Sequence, residues 1–312
     1  GDIRKYFPKE VVQLLQRDAL ERLDLKKMLL EPELLEGLVP DVELAATLIQ
    51  LKEAIPDKTR ETARSVVRQL VEELEEKLKA PMRAALRGAI HKSVRRTRQQ
   101  PRQIDWHRTI RANLKHYQPD YQTIIPERLI GYGRRAKGLQ EVYIVSDQSG
   151  SMASSLVYAA ILGSIMSEVN ALRTRFIAFD TAIVELTEEL VDPVSLLFGL
   201  QLGGGTDIGR ALAYAEQEIQ APEKTIVVLI SDLFEGGDPH RMLERAHAIL
   251  EKGAQLIVLL ALDDEGVPAY HTDHAQAIRN MGAPVFACSP ERFPDLMAAA
   301  INGEDLQSFE KQ

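Results

Sequence analysis

Five oxygen-bearing side chains in the C-terminal half have the types and spacing expected of ligands for a divalent cation. Asp147, Ser149 and Ser151 stand at alternate positions in "SDQSGSM", just after the apolar run "VYIV". Thr206 ends the glycine run of "LGGGTD", and Asp232 comes just after the apolar run "TIVVLI". The set contains carboxylates and hydroxyls but neither sulfur nor imidazole. Such hard ligands suit Mg²⁺, Ca²⁺ or Mn²⁺ rather than zinc or copper.

The elements that must position these residues are short apolar runs rich in β-branched residues, which predict buried strands. The runs are "EVYIVS" (141–146), "RFIAF" (175–179), "AIVELT" (182–187), "TIVVLIS" (225–231), "QLIVLLA" (255–261) and "PVFAC" (284–288). Helices are predicted between them at about 152–171, 208–219, 239–252, 270–281 and 290–301. This alternation predicts an α/β fold with a doubly wound, mostly parallel sheet that is covered by helices on both faces.

The second and third runs form the expected exception to the parallel arrangement. Only Asp180 and Thr181 separate them, which is too short for a crossover, so they are predicted to pair as an antiparallel edge hairpin. Ligands bind such sheets at the carboxyl ends of the strands. The three oxygen-bearing loops are therefore expected to meet at one edge, where a cation would balance the two carboxylates. Glycines 203–205 would let the backbone approach closely and leave Thr206 exposed.

These residues resemble the metal-ion-dependent adhesion site of von Willebrand factor type A (vWA) domains. "DQSGS" matches the Asp-x-Ser-x-Ser pattern of that family, Thr206 matches its second-loop threonine, and Asp232 matches its third-loop aspartate. The resemblance covers about residues 139–303 and implies a Rossmann-like vWA fold.

The resemblance also implies a role for each residue of the site. Ser149 and Ser151 would bind the metal directly, while Asp147 and Asp232 would bind it directly or through water. Thr206 would alternate between direct and water-mediated contact. One coordination position would stay open for an acidic side chain of a partner protein, which suits Mg²⁺ because this ion takes six ligands and accepts waters among them.

A narrower resemblance comes from "IDWHRTIRANLKHYQ" (104–118), followed by "IIPERLIGYGRR" and then "DQSGSM". This arrangement is similar to the bacterial CoxE-like vWA proteins, which are typically paired with AAA+ ATPases of the MoxR type. The resemblance implies a metal-dependent protein-binding module that serves as an adaptor or co-chaperone for such an ATPase. A client protein would be its further partner.

The N-terminal part of the chain is predicted to be helical, because 8–30 and 57–79 both show helical spacing of apolar residues. In the second segment one apolar stripe is formed by Val67, Leu70, Val71, Leu74 and Leu78. No catalytic motif is present there. The predicted division is an all-α domain (1–100), a basic connecting segment (101–138), the vWA domain (139–303) and a tail (304–312).

Charge is distributed unevenly along the chain. Residues 81–140 carry 14 Lys and Arg against 3 Asp and Glu, whereas residues 141–312 carry 10 against 26. This contrast favours packing of the basic segment on the C-terminal domain, with Trp106, Ile110 and Leu114 as its apolar contact face. A protein partner or nucleic acid stays open as an alternative for its arginines, although no nucleic-acid motif is present and nucleic acid is the least favoured.

The compartment is predicted from what the chain lacks. The single cysteine, Cys288, permits no intrachain disulfide, which favours a reducing environment. The first residues, "GDIRKYFPKE", have no signal-peptide pattern, and no apolar run is expected to reach the length of a membrane span. Together these features predict a cytoplasmic protein without a membrane span.

Two classes of function fit the predicted site: a metal-dependent binding module and a divalent-metal-dependent hydrolase. A hydrolase needs a general base beside the open coordination position. No pattern assigns that role to Glu235 or Asp238, and "YHTDHA", with His271, Asp273 and His274, has no evident fourth metal ligand. The chain also has no G-x-S-x-G elbow and no Walker phosphate loop. A binding module without enzymatic activity is therefore predicted, with the hydrolase as the alternative.

Overall fold

The computed structural model of the protein describes residues 35, 39–95, 109–111, 113–118, 123–124, 126, 140–201, 203–262, 269–306 and 309. Its strands are β1 (Tyr117–Gln118), β2 (Thr123–Ile124), β3 (Gln140–Asp147), β4 (Leu172–Phe179), β5 (Ile183–Glu185), β6 (Thr225–Ile230), β7 (Gln255–Leu262) and β8 (Val285–Cys288). Its α-helices are α1 (Val42–Gln50), α2 (Asp57–Arg95), α3 (Ala153–Ser167), α4 (Pro193–Gly199), α5 (Ile208–Glu218), α6 (Pro239–Glu251), α7 (Thr272–Asn280) and α8 (Phe293–Asn302).

The central sheet has six strands in the order β5-β4-β3-β6-β7-β8. Strand β3 pairs in parallel with β4 on one side and with β6 on the other, and β7 and β8 continue the parallel pairing. The hairpin of β4 and β5 is antiparallel, which confirms the predicted edge strand. The predicted fold class is therefore confirmed. Because the chain leaves β3 toward β4 and later returns to its other side, the end of β3 is the switch point at which such sheets bind ligands.

Alternate residues of each strand face different helical layers, as the two-residue period of a strand requires. In β3, Val142 and Ile144 belong to the apolar cluster that holds α3 and α8. Tyr143 and Val145 point to the other cluster, which holds α5, α6 and α7. The sheet is thus covered by helices on both faces, which explains why its strands are apolar along almost their whole length.

The described N-terminal helices pack directly on the sheet domain. The predicted stripe of α2 is confirmed, since Val67 and Leu78 are buried and Leu74 packs against the same cluster. Helix α2 contacts α3, α4 and α8, while α1 contacts α3. Residues of these helices and of the sheet belong to one apolar cluster. The predicted boundary at residue 100 separates segments that share a core, and the domain division stays a prediction.

Helix α2 is longer than predicted, because it continues to Arg95 with Pro81 inside it. The segment predicted from apolar spacing was 57–79, which stops short of Pro81, a residue that lacks the backbone donor a helix interior uses. Beyond the proline, Met82 and Leu86 are fully buried. Their packing stabilises the helix by more than the missing hydrogen bond costs.

Little of the basic connecting segment belongs to the described residues, and neither 8–30 nor Trp106 does. Ile110 and Leu114 are 45% and 59% exposed, so their prediction as an apolar contact face is wrong. The buried side chains of this turn are polar: Thr109 and Asn113 are almost inaccessible, and Asn113 Nδ2 donates to Thr109 O at 2.7 Å. Spacing alone could not reveal that a polar pair occupies the inner face.

One described helical stretch, Gly150–Ser167, has the length and apolar composition of a membrane span, which the sequence reading did not anticipate. In the folded protein 78% of this stretch is buried. Helix α3, its main part, contacts β3 and β4 on one side and α1, α2 and α4 on the other. A helix enclosed by protein is apolar around its whole circumference, which accounts for its composition.

Candidate functional site

The first loop is built around the buried carboxylate of Asp147, at the end of β3. Its Oδ1 accepts a hydrogen bond from Ser149 N at 2.8 Å, and its Oδ2 accepts one from Ser231 Oγ at 2.8 Å. The first bond closes an Asx turn that carries the chain over the carboxylate into the 3₁₀ turn Gly150–Met152 and then into α3. The end of the strand and the start of the helix are thereby held together around one carboxylate.

The serines of the first loop meet the aspartate of the third loop. Ser151 Oγ donates to Asp232 Oδ2 at 2.6 Å, and the hydroxyl oxygens of Ser149 and Ser151 lie 3.3 Å apart. Asp147 joins the same cluster through Ser231, the neighbour of Asp232. The structure therefore brings together four of the five predicted residues, from loops about 80 residues apart in the chain. Their role as metal ligands stays a prediction.

The fifth residue, Thr206, reaches this edge through backbone contacts of its loop. Gly203 N donates to Gln148 O at 3.2 Å, and Gly236 N donates to Thr206 O at 2.8 Å. Gly203 and Gly204 have φ angles of 109° and 110°, which only glycine adopts readily. The glycine run thus places Thr206 between the first and third loops, where it is partly buried and not exposed as predicted.

Electrostatics at this edge favour a bound cation. Burial, with a smaller contribution from the nearby charge of Asp232, raises the pKa of Asp147 to about 6, although the hydrogen bonds from Ser149 and Ser231 oppose this rise. An ionised pair of carboxylates in such a place is costly without a positive charge. Within the described part of the chain, no three His, Cys, Asp or Glu side chains form a metal-binding group. Two carboxylates with hydroxyls therefore form an incomplete donor set, which fits a hard ion that keeps waters.

Several supporting residues were missed in the sequence reading. Ser231 orients Asp147, and the repeated dipeptide "SD" at 146–147 and 231–232 was the available signal. Asp180, which follows β4, accepts from Asp207 N at 2.9 Å through its backbone carbonyl and so links the hairpin to the second loop. Asp207 itself accepts from Arg210 N at 2.7 Å and so caps the N-terminus of α5.

The N-terminal helices also support the site, although no sequence pattern indicated this. Gln50 Nε2, at the end of α1, donates to Gly150 O at 3.0 Å, next to both serines of the first loop. Lys52 Nζ donates to Phe198 O at 2.8 Å and to Leu200 O, just before the glycine run. Burial lowers the pKa of Lys52. The end of α1 and the residues just after it therefore contact the first loop and the segment that leads into the second loop.

The remaining acids and histidines of these loops are bonded to backbone groups. Glu235 accepts from Gly209 N at 3.1 Å and from Gly237 N at 2.6 Å, while Asp238 caps α6 by accepting from His240 N at 3.0 Å. His271 caps α7, where its Nδ1 accepts from His274 N at 3.3 Å, and His274 Nδ1 lies 3.0 Å from Leu233 O. These side chains hold the loops and the helix starts in place. To act as a general base at the open coordination position, any of them would first have to break its hydrogen bond with the backbone.

A substitution at Gly236 tests how tightly the second and third loops pack. A Cβ atom there would lie 2.9 Å from Thr206 O, closer than folded proteins tolerate. We expect Gly236→Ala to displace Thr206 and to lower the free energy of unfolding by about 1–2 kcal/mol in urea titrations. Gly199→Ala is the control, because its Cβ would meet no atom within 4 Å. Equal stability of the two variants would show that the loops are not in close contact.

Comparison with known proteins places this chain in a family. A family model described as "VWA domain containing CoxE-like protein" matches residues 78–297. The uncharacterized protein YehP of Escherichia coli (strain K12) is 32% identical over 310 residues, covering 99% of this chain and 81% of YehP.

Two solved structures are similar to smaller parts of the chain. BatB from Bacteroides thetaiotaomicron, a conserved hypothetical protein, is 21% identical and covers 53% of this chain and 98% of its own, with a TM-score of 0.41. The von Willebrand factor type A structure from Catenulispora acidiphila is 16% identical, and the match covers 54% of this chain and 44% of that structure, with a TM-score of 0.40. The family assignment rests on the family model and on YehP, which together extend over nearly all of the sequence. The chain belongs to the family of vWA-domain-containing CoxE-like proteins.

Proposed function

We propose that this chain is a metal-dependent protein-binding module that engages an acidic side chain of its partner through a divalent cation. The observation that carries the proposal is the hydrogen-bonded cluster of Asp147, Ser149, Ser151 and Asp232 at the switch point of the sheet. Mg²⁺ suits this donor set best, with Mn²⁺ or Ca²⁺ as substitutes. When bound, the ion would supply the positive charge that attracts a carboxylate to an otherwise acidic edge.

The hydrogen bonds of the cluster prepare its oxygen atoms for such a ligand role. The Ser151 hydroxyl donates a hydrogen bond to Asp232, which leaves the oxygen lone pairs of Ser151 available. The donors Ser149 N and Ser231 Oγ hold the Asp147 carboxylate in one orientation. Thr206, held at the edge by Gly236, would provide a further hydroxyl. The protein thus contributes a pre-oriented, incomplete coordination shell, and the partner's carboxylate would complete it.

Membership in the CoxE-like family supports a MoxR-type AAA+ ATPase as the partner, with this chain as its adaptor or co-chaperone. Gln50 contacts the first loop, and Lys52 contacts the segment before the second loop; both contacts fit this role. They connect the N-terminal helices to the edge at which a client or the ATPase would bind. A second protein could therefore contact the helices and the metal edge of the same rigid unit.

The alternative, a divalent-metal-dependent hydrolase, has less support from the geometry. Glu235, Asp238, His271 and His274 are engaged with backbone groups, so none of these four side chains stands ready as a base. Incubation of the purified chain with phosphoester and ester substrates, with and without Mg²⁺, tests this point. Mg²⁺-dependent turnover that Asp147→Asn abolishes would favour the hydrolase over the binding module.

Isothermal titration with Mg²⁺, Mn²⁺ and Ca²⁺ tests the metal site itself. We expect modest affinity, because the protein supplies only part of the coordination shell. Ser151→Ala should weaken binding by about tenfold or more. Ser154→Ala is the matched control, since Ser154 is the next serine after Ser151 in "SGSMASS" and lies on α3 outside the cluster. Absence of heat from all three ions at millimolar concentrations would contradict the proposal.

A further inference from the structure

An exposed aromatic side chain stands directly beside the candidate metal cluster. Phe234 is 49% exposed, whereas the phenylalanines of the strands, Phe176, Phe179 and Phe286, are buried. The backbone N–H of Phe234 donates to Asp232 Oδ1 at 3.3 Å. The ring is therefore tied to the same aspartate that Ser151 contacts, on the solvent side of the third loop.

The backbone before Phe234 adopts a costly conformation that turns the ring outward. Leu233 has a φ angle of 63°, a value that a branched side chain rarely adopts. Ser231 Oγ accepts from Leu233 N at 3.1 Å, Glu235 N donates to Leu233 O at 3.0 Å, and His274 Nδ1 lies 3.0 Å from that carbonyl oxygen. This turn buries Leu233 completely and leaves Phe234 in solvent. Strain that persists at a binding edge indicates a role for the residue it presents.

His271 extends the exposed ring into a small surface. Its ring packs against Phe234 edge to face, with centroids 6.0 Å apart, and it stacks on His274 at 3.6 Å. His271 N also donates to Asp232 O at 3.0 Å. We call Phe234 and His271 the aromatic patch. Both of its residues are bonded through their backbones to Asp232, so the patch keeps a fixed position relative to the candidate metal cluster.

We infer that the aromatic patch is a docking surface for an apolar side chain that neighbours the metal-bridged acidic residue of the partner. This inference rests on the proposed function. A single metal-bridged carboxylate gives little binding specificity, because every protein surface has many Asp and Glu side chains. An aromatic ring beside the open coordination position would select those acids that have a suitable apolar neighbour, as buried aromatic anchors do in other interfaces.

Charge defines the partner segment further. Residues 141–312 carry 26 Asp and Glu against 10 Lys and Arg, and Asp238 is exposed on the same loop as Phe234. A run of acidic residues would be repelled by this surface. The expected partner segment is therefore one Asp or Glu with a Leu, Ile, Met, Phe or Tyr within two positions and without further acids.

Selection from a random linear peptide library displayed on phage tests the inference. The full chain is immobilised in Mg²⁺, and bound phage are eluted with EDTA. We expect the eluted peptides to combine one acid with a nearby apolar residue. Selection on Phe234→Ala should retain the acid and lose the apolar neighbour, and a peptide selected on the wild type should bind this variant about fivefold to tenfold more weakly.

Two further variants serve as controls. Phe234→Leu should keep most of the apolar preference, while Val184→Ala removes an apolar side chain of the edge strand that is 44% exposed and should change nothing. EDTA-dependent enrichment of acids without an apolar neighbour on the wild type would overturn the role of the aromatic patch and leave the metal bridge intact. Mg²⁺ binding in the titration without any EDTA-dependent enrichment would also overturn it. Failure of both the titration and the selection would overturn the proposed function instead.

Discussion

Replacing Asp147 with asparagine is expected to abolish divalent-cation binding while leaving the protein folded. Asparagine keeps the shape of the side chain and an oxygen that can accept from Ser149 N, but it removes the charge that would hold the ion. We expect Mg²⁺ affinity to fall by roughly a hundredfold, measured by isothermal titration. Binding of a partner that depends on the ion should be lost with it.

The metal-free Asp147→Asn protein should melt at the same temperature as the wild type or above it. Burial and the charge of Asp232 together raise the pKa of Asp147 to about 6, so the ionised side chain destabilises the metal-free fold near neutral pH. Removing the charge relieves this cost, whereas the core of the sheet is untouched. Thermal unfolding in the presence of EDTA measures the effect.

Asp238→Asn is the matched control for this experiment. The substitution is the same and lies on the third loop, but Asp238 caps α6 and is not part of the cluster. Because asparagine caps helices as well as aspartate does, both stability and Mg²⁺ affinity should stay close to the wild-type values. Unfolding of Asp147→Asn, with Asp238→Asn intact, would show that Asp147 serves the fold, and the metal-binding proposal would lose its main support.

Replacing Arg175 with methionine is expected to cause the largest loss of stability among single substitutions outside the apolar core. The side chain of Arg175 is only 13% exposed. Its Nε and Nη2 donate to the two carboxylate oxygens of Glu185 at 2.9 and 2.7 Å, and its Nη1 donates to Glu218 Oε2 at 2.8 Å. Nη1 also lies 3.2 Å from Tyr143 OH. Methionine would fill the space but leave two carboxylates without their cation, at a cost of about 2–4 kcal/mol.

The pH dependence of this loss distinguishes the ion pair from packing. The Arg175 guanidinium lowers the pKa of Glu185 to about 2, below its ordinary value of 4.5. The pair therefore stabilises the fold above about pH 4.5, and this contribution disappears as the pH falls toward 2. The difference in unfolding free energy between wild type and Arg175→Met should shrink over that interval in urea titrations.

Arg173 supplies the control on the same strand. It pairs with Glu141 at 3.3 Å, and its own side chain is 55% exposed, although that of Glu141 is only 11% exposed. Because solvent reaches this guanidinium and only one carboxylate loses its partner, we expect Arg173→Met to cost less than Arg175→Met. Equal losses in the two variants, or a loss in Arg175→Met that does not change with pH, would show that the Arg175 network contributes no more than this single, half-exposed pair.

The strands and the candidate cluster could be read from the sequence because their signals are local. The β-branched runs, the two residues between β4 and β5, and the alternate oxygen side chains after β3 each lie within one short window. In a parallel sheet the carboxyl ends of strands meet at one edge, so loops far apart in the chain could be brought together on topology alone. The hydrogen bond from Ser151 to Asp232 bears out that reasoning.

The errors concern residues whose surroundings are supplied by distant parts of the chain. The helix predicted at 57–79 was too short, because buried Met82 and Leu86 carry α2 beyond Pro81 to Arg95. Ile110 and Leu114 were expected to face the C-terminal domain, yet Thr109 and Asn113 are the buried pair. Helical spacing predicts which residues lie on the same face of a helix, but it does not predict which face is buried against the rest of the protein.

By itself, the sequence determined the order of the six central strands and of the five helices predicted among them, the antiparallel edge hairpin and the types of oxygen atoms at the edge of the sheet. Only the tertiary structure decided how these atoms are supported: Ser231 behind Asp147, Gln50 on Gly150, and the outward turn of Phe234 after the strained Leu233. The reason is physical. Periodicity and loop length follow from the chain's own geometry, whereas these contacts exist only when surfaces from distant segments pack against each other.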